Sequence, residues 1–148
     1  PMNNLKREES AKIIASALNI KSDNNQNIFG DVASDAWYHD YVMAMYNAGI
    51  INGIGNGNFG VGQDIVRQDA FCMIYGALKH NGITLEQITQ SAFNDSAEIA
   101  SYATDAVNAL CSLGIVNGDT QGNLNPTSMI TRAEFSKVIY MALEILEK

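Results

Sequence analysis

Arg7, Arg67 and Arg132 each stand two residues ahead of an acid, respectively Glu9, Asp69 and Glu134, and each pair opens a stretch of apolar residues at helical spacing. A cation in the first turn of a helix opposes the helix dipole by roughly 0.3–1 kcal/mol, so something must hold it there. Two arrangements would. The planar guanidinium, together with the free backbone N–H groups of the helix start, forms a two-pronged site for a carboxylate. Alternatively, each arginine is held in a structural ion pair with Glu8, Asp69 or Glu134, or with Asp31 or Asp95 of an adjacent turn.

Trp37 and Tyr102 offer aromatic faces on which a sugar ring can stack; the competing reading, preferred for Tyr102, is that they begin a buried stripe. Asp31 and Asp95 are placed to accept hydroxyl hydrogens or to serve a turn and helix cap, and the cap is the simpler expectation. Gly53 and Gly118 let the backbone approach a ligand, although turn geometry explains them equally well. His39 and His80 lie in no catalytic frame and read as surface residues. The loop from Asn117 to Asn125 superficially resembles a calcium site, but the position needing a bidentate Glu is Ser128. Cys72 and Cys111 interrupt apolar helical patterns without C-x-x-C spacing, which argues for buried free thiols and against a thiolate zinc site or disulfide scaffold. The sequence calls for no metal or cofactor.

A net charge of −7 opposes nucleic-acid binding and adhesion to anionic lipid, and no apolar run is long enough to span a membrane. With 47% hydrophobic residues in 148, the chain can bury a sizeable core. No signal peptide opens it, and a start at Pro1-Met2 reads as part of something longer.

The elements that would position these residues emerge when the chain is compared with itself. From Pro1, Val61 and Pro126 three segments run parallel without a gap. They share Ile13-Ile14, Met73-Ile74 and Val138-Ile139, then Ala17-Leu18, Ala77-Leu78 and Ala142-Leu143. That spacing makes each a helix with one apolar stripe. Upstream, a second unit occurs twice: Phe29-Gly30-Asp31 matches Phe93-Asn94-Asp95, and Gly49-Ile50-Ile51-Asn52-Gly53 matches Gly114-Ile115-Val116-Asn117-Gly118. Between these landmarks Trp37, Tyr41, Val42 and Met45, or Tyr102, Ala106, Val107 and Leu110, line one side of a first helix. Gly49 and Gly114 should close those helices with a left-handed cap. Thr131 and Glu134 form a capping box, of which only the acid recurs in the other copies. Three equivalent stripes that cannot be buried singly predict an all-helical unit around a pseudo-threefold axis. The helix of the first copy has no first-helix partner of its own, so its face of Ile13, Ile14, Ala17 and Leu18 is expected to lie open or to recruit a neighbour, including a second copy.

The combination of F-x-D, an aromatic-led helix, G-I-I-N-G, a glycine-rich loop and Ile130-Thr131-Arg132-Ala133-Glu134 resembles the S-layer homology repeat of bacterial surface proteins. It divides the chain into the second half of one repeat (1–27), a full second repeat (28–90) and a third (91–148). The resemblance implies an all-α pseudo-threefold bundle without catalysis, placed outside the cell on the wall or surface layer. It also implies that the grooves between repeats bind secondary cell-wall polysaccharide, often through a pyruvylated sugar. Carried onto this chain, the groove residues are Arg7, Arg67, Arg132, Trp37, Tyr102, Asp31, Asp95, Gly53, Gly118 and Glu134. The alternative role is a self-assembly module of a surface lattice, with the arginines in salt bridges. The absent first half of the first repeat, and Tyr102 in the place of Trp37, imply unequal grooves.

Overall fold

A computed structural model describes residues 3–24 and 26–148; Pro1 and Met2, where the first aligned copy begins, lie outside them. Five α-helices follow in order: α1 (Arg7–Ala17), α2 (His39–Asn47), α3 (Arg67–His80), α4 (Thr104–Ser112) and α5 (Arg132–Leu146). Among the described residues there is no strand. Short extended segments ahead of α1, α3 and α5 meet instead as isolated antiparallel bridges, Asn4 with Thr131, Lys6 with Asp64 and Val66 with Met129.

These segments close a ring. Leu5 N–H donates to the Ile130 carbonyl at 3.1 Å, Ile130 to Ile65 at 3.1 Å, and Ile65 to Leu5 at 2.9 Å. A second ring runs in the opposite sense: Arg7 N–H donates to Gln63, Arg67 to Ser128 and Arg132 to Asn3, at 2.8–2.9 Å. Extended backbone needs partners once its side chains are buried, and here each copy supplies them to the next. Leu5, Ile65 and Ile130 are buried at the axis, which gives the pseudo-threefold arrangement its centre.

Helix pairing departs from the expectation. α1 packs on α2 and α3 on α4, so the Arg-led helix of each copy is covered by the first helix of the following one. Ile14 and Leu18 are therefore buried, and the expected open stripe on α1 does not exist. The helix left without such a partner among the described residues is α5. Ser136 and Tyr140 are exposed, the latter by 63%, where the equivalent Ala11 and Ala15 of α1 are buried.

The caps follow local chemistry. At Gly49 (φ 77°) and Gly114 (φ 75°) the chain turns left-handed, and Ile50 and Ile115 donate back to Met45 and Leu110, satisfying carbonyls at the helix ends. The F-x-D aspartates do something that local sequence does not show. Asp31 accepts from the N–H groups of Phe59, Gly60 and Val61 at 2.7–2.9 Å, and Asp95 from those of Leu124 and Asn125 at 2.8 Å. They clamp the loop leading into the next Arg-led helix rather than capping their own.

Burial alone would raise the Asp31 carboxyl, but the N–H groups of Phe59, Val61 and Gly60 outweigh it and hold it below its ordinary 3.8. A depressed carboxylate contributes stability above its unfolded value and loses it as pH falls through the folded one. Asp31→Asn, which turns an amide toward those donors, should cost about 1–3 kcal/mol at pH 7 in chemical denaturation. The gap to the unmodified protein should narrow below pH 3.8; a constant gap would deny the clamp.

Candidate functional site

Each arginine lies at the base of a groove between neighbouring Arg-led helices. In the first groove Arg7 faces Asp69, Cys72 and Met73 of α3, with the Ile50–Ile54 loop and Tyr102 completing a volume of about 490 Å³. In the second, of about 240 Å³, Arg67 faces Glu134, Lys137 and Val138 of α5 beside the loop of Ile115, Val116, Asn117 and Gly118. In the third, of about 320 Å³, Arg132 faces Glu9, Lys12 and Ile13 of α1 beside Trp37. The parts are equivalent but not all present in each. Among the described residues, only the first groove has both a G-I-x-N-G loop and an aromatic wall.

The arginines pair in a circle with the acid of the next helix. Arg67 pairs with Glu134 and Arg132 with Glu9 in close contact, whereas Arg7 meets Asp69 at 3.5 Å. The acid has two tasks. Glu9 and Glu134 each use Oε1 to accept the N-cap N–H of their own helix, from Lys6 at 2.9 Å and Thr131 at 3.1 Å, and Oε2 to hold the neighbour's arginine. This double duty accounts for the acid in two of the three copies, where Thr131 itself has no counterpart in the first. Asp69, one methylene shorter, instead accepts from the Tyr102 hydroxyl at 2.5 Å and reaches Arg7 poorly.

Two arginines are also tied to the clamped loops. Arg7 Nε donates to the Phe59 carbonyl and Arg67 Nε to the Leu124 carbonyl, both at 3.0 Å, and the guanidinium groups lie 5.2 Å and 5.3 Å from the ring centres of Phe59 and Phe71. Arg7 is buried, which lowers its pKa from the ordinary value even though Asp69 pulls it up. Among the described residues Arg132 has Glu9 as its only side-chain hydrogen-bond partner.

Trp37 and Tyr102 are 55% and 65% exposed and precede their helices, so the expectation that they begin buried stripes is corrected. A turn after the Asp31 clamp, with Ala36 N–H on Ala33 and His39 N–H on Ala36, delays α2 until His39 and leaves Trp37 outside; Tyr102 sits on the short 3₁₀ turn Ser101–Ala103. Burial and the bond to Asp69 push the Tyr102 phenol up to about 12, so it remains a donor at neutral pH. Gly53 and Gly118 line grooves, but an added methyl there would meet a ring carbon of Phe29 at 2.8 Å or of Phe93 at 2.9 Å. Asp31 and Asp95 spend their carboxylates on backbone.

His39 is another correction: it is buried, with Nδ1 2.8 Å from Asp40 and Nε2 unpartnered among the described residues. The cysteines are half-buried rather than buried, and Cys72 faces the first groove, its thiol pushed up to about 11 by burial and so inert at neutral pH. Reading by motif missed Lys12, Cys72 and Lys137, although they share one column of the alignment, five residues after each arginine. Among the described residues no cluster of His, Cys, Asp or Glu could hold a metal ion, and no helix is long and apolar enough to cross a membrane.

The S-layer homology domain matches the chain over residues 28–71 and 92–136. Similar proteins include an exoglucanase XynX of Acetivibrio thermocellus, 32% identical over 97% of this chain, and an amylopullulanase of Thermoanaerobacterium thermosulfurigenes, 33% identical over 97%. A surface-layer 125 kDa protein of Lysinibacillus sphaericus is 28% identical over 97%. The chain spans 13%, 8% and 12% of these relatives' lengths respectively.

Proposed function

Since the chain belongs to the S-layer homology domain family, whose members are non-catalytic anchoring modules of the bacterial cell surface, we propose that its grooves bind secondary cell-wall polysaccharide through an acidic, pyruvylated sugar. The observation that carries this reading is the threefold recurrence of one arrangement: an arginine at a helix N-terminus, facing a groove bordered by an exposed aromatic, a glycine-rich loop or both. A guanidinium and helix-start N–H groups suit a carboxylate, and an exposed ring suits a sugar face. Enzyme names among the similar proteins fit a module joined to catalytic parts elsewhere in those longer chains.

The circle of ion pairs supports a second reading, in which the arginines hold the fold and the module assembles with other surface proteins. Sedimentation with purified wall sacculi separates the two. Binding should be retained on intact sacculi and lost after the polysaccharide is extracted; binding that survives extraction would overturn the glycan reading.

A further inference from the structure

The three arginines are already paired, and this sets a requirement on any acidic ligand. An ion pair is close to neutral at a short distance: a carboxylate approaching the guanidinium meets the repulsion of Glu134, Glu9 or Asp69 alongside the attraction. Net attraction then depends on a second cation in the same groove. The column five residues after each arginine decides whether there is one. Lys137 lines the second groove and Lys12 the third, each one turn beyond the acid, while Cys72 occupies that place in the first. Lys12 Nζ stands 5.4 Å from the centre of the Trp37 ring, so its charge is held over the aromatic wall of its groove.

The first groove keeps an arginine and an acid, loosely paired, but has no second cation among its lining residues. Its thiol stays protonated, its aspartate is engaged by Tyr102, and its walls include Ile50, Ile54 and Met73. What it offers is a large recess with an exposed phenol ring. The chain as a whole carries −7, so a polyanion is repelled elsewhere on the surface and its docking is decided by such local surpluses.

On the glycan reading above, we propose that this single column sorts the grooves by charge: Lys137 and Lys12 make the second and third grooves receptors for anionic sugar units, and Cys72 leaves the first for an uncharged unit. The anion recognised is a carboxylate or phosphate borne on a polysaccharide.

Calorimetric titration tests this with three probes: a carboxylate-bearing wall polysaccharide, the same polymer with its carboxyl groups reduced to alcohols, and polyglycerol phosphate. The Lys12→Ala, Lys137→Ala double variant removes two exposed side chains, and a melting curve checks its fold. It should bind the carboxylate-bearing polymer roughly tenfold more weakly while its affinity for the reduced polymer changes less than about twofold. Cys72→Lys should strengthen binding of the acidic polymer. Lysine-dependent binding of polyglycerol phosphate would support the proposal with phosphate as the anion. If the ratio of affinities for the acidic and reduced polymers is the same in the unmodified chain and the double variant, charge sorting is wrong even though glycan binding stands. If the unmodified chain binds none of the three probes, the glycan reading itself fails.

Discussion

Arg132→Ala should weaken binding to pyruvylated wall polymer by roughly tenfold to a hundredfold, the usual range for a lost charge-assisted contact, and should lower the melting midpoint little. The three arginines look alike in sequence, but the structure makes them unequal as probes. Arg7 and Arg67 each donate through Nε to a loop carbonyl and stack on a phenylalanine, so their removal strands a carbonyl and opens packing as well as emptying a groove. Alanine there should cost about 1–3 kcal/mol of stability, against the expectation from dipole relief alone that stability would hardly change. Arg132 is a third exposed, and its side chain is held only by Glu9 among the described residues. Lysine at 132 should bind between arginine and alanine, because an ammonium supplies the charge without the planar fork. Titration beside a melting curve checks both halves. An affinity unchanged in Arg132→Ala, and in its combination with Arg67→Ala, would end the role assigned to these residues.

The largest effect on stability is expected at the axis. Leu5→Ala, Ile65→Ala and Ile130→Ala should each cost about 2–5 kcal/mol in chemical denaturation, since each removes a fully enclosed side chain from a site that cannot collapse without breaking the backbone ring. All three costs should fall in that range, as for places related by pseudosymmetry. A small effect of Leu5→Ala beside large ones at the other two would show that the segment before α1 is not an equal member of the core.

Much of this was legible in the residues and some was not. The Arg-led helices and the left-handed caps at Gly49 and Gly114 rest on spacings and types within one turn of the chain, which sequence records directly. The spacing of four between Trp37 and Tyr41 fitted a buried stripe because periodicity cannot show where a helix begins. α2 begins only after a turn that follows Asp31, whose own partners lie about thirty residues away. The stripe of Ile13, Ile14, Ala17 and Leu18 showed a face in need of cover and was expected to lie open or to take another molecule, but a stripe does not name its cover, and α2 of the next copy supplies it. The grooves posed the same difficulty. Lys12, Cys72 and Lys137 stand in plain alignment, yet nothing distinguishes them from solvated helix positions until the neighbouring helix is in place. The arginines were singled out with two readings, and their geometry contains both partners at once: an acid beside them and a groove above.

The opposed hydrogen-bond rings have a consequence for how such proteins can grow. A solenoid ends in open faces, so duplication of a unit simply lengthens it. Here the third copy returns its N–H to the first, and both rings are complete with three members. A fourth copy would have to displace a member of each ring to join it, so the stack cannot simply lengthen. The closure therefore counts to three: each ring is filled by one segment from each copy, and a further segment has no seat in it.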